Sequence, residues 1–134
     1  KAILGGNQTD LVPRAPGMKY KHYAPAGDLT IVEGEEAAVI ANINSIARDR
    51  IAEGFSVGIM ATDETISKYK YGEVKSTGTR SDEATVAKHL YDVLREFDET
   101  GVDYIFSESF SRENVGQAVM NRLLKAAGHS VIKV

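Results

Sequence analysis

Two stretches of this chain bring polar, charged and aromatic side chains together at spacings that could do chemistry. The first is Pro16-Gly17-Met18-Lys19-Tyr20-Lys21-His22-Tyr23-Ala24-Pro25. Its cations and hydroxyls are of the kind that bind phosphate or carboxylate, and its tyrosines can cover a base or exclude water. The second is Ser76-Thr77-Gly78-Thr79-Arg80. It offers hydroxyls, backbone N–H groups ahead of a helix and the fixed charge of Arg80, which together make a candidate anion site. The same residues also read as an ordinary glycine-containing loop and helix cap. Other chemistry lacks its signature. Ser107 and Ser109 flank Glu108, but there is no GxSxG and no base beside either serine, so no activated nucleophile is expected. His22, His89 and His129 have no second His at i+3 or i+4, and the chain has no Cys, so neither a zinc site nor a thiolate is expected. No GxGxxG or GxxxxGK[ST] fingerprint is present. The residues themselves point to no catalytic group and no cofactor in this domain.

The elements that must position these groups follow from periodicity. Residues 1–27 show neither a strand nor a helix period and contain all three prolines, Pro13, Pro16 and Pro25. They read as an extended, turning linker. Residues 28–134 read as one Rossmann-like domain. Strands are expected at Leu29–Val32, Ser56–Ala61, Glu73–Ser76, Val102–Ser107 and Val131–Val134. Helices are expected over Glu35–Glu53, with Val39, Ile40, Ile43, Ile46, Ala47 and Ile51 inward, and from Thr79–Asp82, read as a capping box, to about Asp98. That second helix turns Ala87, Leu90, Tyr91, Leu94 and Phe97 inward. A last helix is expected over Arg112–Ala127, with Val115, Ala118, Val119, Leu123 and Ala126 inward. A short helix capped by Asp63 fits Asp63–Tyr69. Apolar strands separated by helices imply a three-layer α/β fold: about five mainly parallel strands with helices on both faces. Ligands of such sheets sit beyond the carboxyl ends of the strands, where Thr62-Asp63, Ser76–Arg80 and Ser107–Ser109 fall.

Composition agrees. The 134 residues are 43% hydrophobic and 26% charged, ordinary for a globular domain. Residues 1–23 carry Lys1, Arg14, Lys19 and Lys21 against Asp10, a net +3, which leaves −6 on the rest of a chain of net charge −3. A basic arm on an acidic body points to an anion met by the arm, not to nucleic acid bound by the body. No apolar run reaches the length of a membrane helix, and the absence of Cys fits a cytoplasmic setting. The opening Lys1-Ala2-Ile3-Leu4-Gly5-Gly6 reads as the interior of a longer chain.

The segment Ala15–Pro25 resembles the interdomain linker of the two-domain threonylcarbamoyl-AMP synthases (YrdC/YwlC-like), whose pattern is roughly Ser/Ala-Pro-Gly-Met-x-x-x-His-Tyr-Ala-Pro. Thr85–Arg95 with Asp98, and Gly116–Ala127, resemble the carboxy-terminal domain of the same family. The resemblance spans essentially the whole chain. It implies an accessory domain whose YrdC-like catalytic partner lies outside these residues. That partner uses ATP, expected with magnesium, together with threonine and bicarbonate, to form threonylcarbamoyl-AMP and pyrophosphate for N6-threonylcarbamoyladenosine in tRNA. By the same resemblance Pro16, Gly17, Met18, Lys19, Tyr20, His22 and Tyr23 would act as a lid over that active site, and the isolated domain would be inactive. Two further readings stay open: an independent nucleotide- or anion-binding module centred on Ser76–Arg80, and a scaffold for dimerisation or docking.

Overall fold

Residues 24–134 are described by a computed structural model of the chain. Five short runs of apolar and β-branched residues form strands: β1 (Asp28–Glu33), β2 (Val57–Ala61), β3 (Glu73–Ser76), β4 (Tyr104–Glu108) and β5 (Val131–Lys133). Every pairing is parallel, in the order β3-β2-β4-β1-β5. β4 therefore lies between β1 and β2, with Asp28 and Val57 both in register with Tyr104. Three helices, α1 (Glu36–Ala52), α2 (Glu83–Thr100) and α3 (Asn114–Ala126), and a short 3₁₀ turn at Ile66–Lys68 make the connections.

Alternation along the strands sends side chains to two cores. On one face Leu29, Ile31, Met60 and Ile105 meet Val86, Leu90, Leu94 and Phe97 of α2 and Val119, Met120 and Leu123 of α3. On the other, Val32, Ile59, Ala61 and Phe106 meet Val39, Ile43 and Ala47 of α1, with Tyr69 from the 3₁₀ turn. The expected α/β sheet with helices on both faces is the observed architecture, with all strands parallel. Gly58 has a packing reason: a Cβ there would meet Phe97 at 2.7 Å, so α2 lies tight on β2. Gly101, at φ +71°, ends α2 in the left-handed conformation, where its N–H bonds the carbonyls of Phe97 and Asp98.

The sequence expectations need correction in six places. Ile51, expected on the inward stripe of α1, is exposed at 40%, because the stripe ends at Ala47. Asp63 does not cap the 3₁₀ turn, whose N-cap is Thr65. Its carboxylate instead accepts the hydroxyls of Ser76 at 2.5 Å and Thr79 at 2.8 Å. The capping box at Thr79–Asp82 does not form, because α2 starts at Glu83 with Asp82 as an N-cap that makes no side-chain bond. β4 runs from Tyr104 to Glu108, not from Val102 to Ser107, since Asp103 is held in a bracket with Ser56 and Glu108 pairs with Val32. α3 begins at Asn114, not Arg112. Before it, the Glu113 N–H bonds the Ser111 hydroxyl and Arg112 reaches Glu33 at 3.0 Å. The inward stripe of α3 is Gly116, Val119, Met120, Leu123 and Ala126, while Val115 and Ala118 face outward.

The chain enters the sheet at the amino-terminal ends of the strands. There the Ala26 N–H bonds the Asp98 carboxylate at 2.9 Å and the Asp28 N–H bonds the Asp103 carbonyl at 3.0 Å. The carboxyl ends of the strands, which carry the crevice described next, lie at the opposite edge.

Candidate functional site

β1 and β4 are neighbours whose following helices go to opposite faces, α1 to one and α3 to the other. That is a topological switch point, where a parallel sheet opens a crevice at its carboxyl edge. A cavity of about 310 Å³ lies there, lined by Gly34, Glu36, Arg80, Glu108, Ser109 and Phe110.

Glu108 ends β4 on the α1 face and is almost fully buried, at 3% exposure. A carboxylate withdrawn from water needs partners for its oxygens. Oε2 accepts the Thr65 hydroxyl at 2.5 Å and the Tyr69 hydroxyl at 2.6 Å. Oε1 accepts Arg80 Nη2 at 2.7 Å, with the Thr62 hydroxyl more distant at 3.4 Å. Thr62 and Thr65 are themselves buried and hydrogen-bonded to each other. Burial, and then the charge of Glu108, push the Tyr69 phenol well above the ordinary tyrosine range, so it stays a donor. Arg80 is fixed from three sides. Nη2 meets Glu108, Nη1 donates to the Ser109 carbonyl at 2.9 Å, and its guanidinium carbon lies 4.5 Å from the centre of the Phe110 ring.

Of the candidate anion loop, the structure brings Arg80 to this crevice, while the Ser76 and Thr79 hydroxyls turn to the carboxylate of Asp63. Glu64 accepts the backbone N–H of Arg80 at 2.8 Å and of Ser81 at 3.1 Å. Asp63 takes the Ser76 and Thr79 hydroxyls, Thr77 donates to the Ala61 carbonyl, and the Gly78 N–H bonds the Ser76 hydroxyl. These bonds hold the Asp63 carboxyl below its ordinary range through Ser76 and Thr79, and the Glu64 carboxyl below its range chiefly through the Arg80 N–H. An external anion at Ser76–Thr79 would compete with carboxylates of the same chain. Pro16, Gly17, Met18, Lys19, Tyr20, His22 and Tyr23 lie outside the described residues. Sequence reasoning placed Glu108 at a strand end but gave it no role, and it passed over Gly34, Glu36, Thr65, Tyr69 and Phe110. A charged residue between two serines at the carboxyl end of an apolar strand was the available signal.

Fold and crevice together define a doubly wound, all-parallel α/β domain with an ion pair set into its switch point. Comparison with known proteins gives its relationship. Residues 1–128 match the family described as threonylcarbamoyl-AMP synthase, C-terminal domain, and the chain belongs to that family. It is 46% identical over 121 residues to the threonylcarbamoyl-AMP synthase of Bacillus subtilis (strain 168) and 40% identical over 121 residues to that of Pyrococcus abyssi (strain GE5 / Orsay). Each match covers 90% of this chain and 34% of the relative, so the chain spans about a third of the length of these relatives. Among solved structures it resembles P. abyssi Sua5 complexed with L-threonine, with a TM-score of 0.75 at 39% identity over 90% of this chain and 34% of that one. A variant of the same archaeal protein, with an adjacent His and Tyr changed to alanine, matches equally well, with a TM-score of 0.75 at 38% identity. The C-terminal Sua5 domain from Pyrococcus horikoshii matches over its whole length and 83% of this chain, with a TM-score of 0.66 at 28% identity.

Proposed function

We propose that this chain is the accessory C-terminal domain of a threonylcarbamoyl-AMP synthase, joined by residues 1–27 to a YrdC-like catalytic domain. In this reading the catalytic domain binds ATP with magnesium, threonine and bicarbonate and forms threonylcarbamoyl-AMP and pyrophosphate for tRNA modification. The linker residues Pro16, Gly17, Met18, Lys19, Tyr20, His22 and Tyr23 close over its active site. A cover of this kind keeps water from a carbamate and an adenylate, both of which hydrolyse readily.

The observation that carries the reading is the span of the family match, which runs through residues 1–128 and so includes the Pro16–Pro25 segment as well as the folded domain. Two further observations support it. His22-Tyr23 is the chain's single His-Tyr pair, the pair type altered in the P. abyssi variant. Residues 24–27, the described end of the linker, meet the sheet at the edge away from the crevice. Among the described residues no group of three or more His, Cys, Asp or Glu side chains could hold a metal ion. Likewise, no helix among the described residues is long and apolar enough to cross a membrane.

Full-length enzyme carrying His22→Ala and Tyr23→Ala tests the lid. Pyrophosphate release from ATP, threonine and bicarbonate should collapse while the folded domain melts as before. Unchanged turnover would refute the lid role.

A further inference from the structure

The charge this fold buries most deeply stands where a parallel sheet leaves room for a ligand. Glu108 is 3% exposed, and the side chain of Arg80 is 32% exposed. Apolar residues of the same shape generally stabilise a fold as well as a buried ion pair does, so such a pair at a strand end calls for a use beyond holding the sheet together.

From the crevice geometry we propose that the 310 Å³ cavity between β1 and β4 binds a small amino-carboxylate, such as a free α-amino acid, with its carboxylate on Arg80 and its ammonium on Glu36. A guanidinium has five N–H donors. Arg80 spends one on Glu108 and one on the Ser109 carbonyl, and its remaining donors have no partner among the described residues. The ring of Phe110 and the Glu108 carboxylate hold it in place, so a second carboxylate meets a donor edge already oriented. Glu36 lines the same cavity and, among the described residues, is ion-paired only with Lys68, loosely and in an exposed position at 3.6 Å. A pair of that kind is weak and gives way to an incoming ammonium.

Charge and size select the ligand class. The lining holds the carboxylates of Glu36 and Glu108 against one guanidinium, so a polyanion such as phosphate meets net repulsion, whereas a molecule with one charge of each sign matches both ends. The volume is near the small end of ligand pockets, which run from roughly 300 to 1,000 Å³. This site differs from the Ser76–Thr79 loop, whose Ser76 and Thr79 hydroxyls Asp63 already engages. It is also argued without the lid reading, since none of its residues belongs to the linker.

The test is an NMR titration of the ¹⁵N-labelled chain with L-alanine and L-serine, with acetate and methylammonium as half-ligands and inorganic phosphate as the anion control. Saturable shifts at the Gly34, Glu36 and Ser109 amides are expected with the amino acids in the millimolar range, with weaker ones from either half-ligand. Glu36→Gln should weaken amino-acid binding several-fold and leave acetate binding as it was. Arg80→Lys keeps the charge beside Glu108 but loses the fork, and it should weaken both by about tenfold. If Arg80→Lys fails to fold, Glu36→Gln still decides. The absence of saturable shifts, tighter binding of phosphate than of the amino acids, or equal amino-acid affinity in parent and Glu36→Gln would each overturn the proposal.

Discussion

Removing the carboxylate of Glu108 is the sharpest perturbation this fold offers. Glu108→Ala leaves Arg80 without its 2.7 Å partner and the Thr65 and Tyr69 hydroxyls without the acceptor they reach at 2.5 and 2.6 Å. Breaking a buried ion pair from one side costs roughly 3–5 kcal/mol, because a desolvated charge is left behind. Water reaches Arg80, whose side chain is 32% exposed, which sets the ion-pair part at the lower end. The orphaned Tyr69 hydroxyl adds about 1 kcal/mol. A total of roughly 3–4 kcal/mol is a large share of the 5–15 kcal/mol that holds a typical domain together. For a domain of this size it corresponds to a fall in Tm of roughly 10–20 °C. Thermal melts followed by circular dichroism measure it directly. Tyr69→Phe provides a graded control, removing one donor and no charge, at about 1–2 kcal/mol. A Glu108→Ala protein that melts within a degree or two of the parent would refute the claim that this network organises the carboxyl edge of the sheet.

Three more outcomes follow from particular contacts. Gly58→Val places a side chain against Phe97, whose ring a Cβ alone would meet at 2.7 Å, and should cost roughly 1–3 kcal/mol by overpacking. Phe97→Leu in the same protein should return part of that loss in chemical denaturation. Leu94→Ala empties a fully buried site under α2 and should cost roughly 2–5 kcal/mol, read as a lower urea midpoint with an unchanged slope. Asp63 and Glu64 have their carboxyl pKa values lowered on folding, so the unfolded chain binds more protons in acid. Their stabilising effect is therefore present above the ordinary carboxylate range and is lost as pH falls through their lowered values. Hydrogen exchange of the Arg80 and Ser81 amides should quicken in acid relative to the core, and Glu64→Gln should show that faster exchange already at neutral pH.

The layers of this fold were legible because its strands are buried on both faces and read as apolar runs, and because α1 and α2 keep a regular stripe. The phase of α3 was not, since its first inward residue is Gly116. A Cβ there would meet the Ser111 carbonyl at 2.6 Å, and a glycine chosen for close approach leaves no apolar mark. The start of α3 was hidden for a related reason: Ser111 and Arg112 find partners that hold them out of the helix. Of the site, Arg80 drew attention by its type and its place before a helix. Its role did not, because Glu108 gathers partners that lie 28 to 46 residues away, and only the order β3-β2-β4-β1-β5 brings them together. The loop at Ser76–Thr79 was misleading in one respect. Its Ser76 and Thr79 hydroxyls do meet an anion, but it is Asp63, supplied by the adjacent turn, while Glu64 takes the N–H groups of Arg80 and Ser81.

The proposed accessory role requires that catalysis reside outside this domain and depend on it. Pyrophosphate release from ATP, threonine and bicarbonate, measured for this chain alone, for a YrdC-like domain alone and for the two covalently joined through residues 1–27, tests that claim most directly. No turnover is expected from this chain, and full turnover only from the joined protein. Turnover by this chain alone, or undiminished turnover by the catalytic domain without it, would contradict the account.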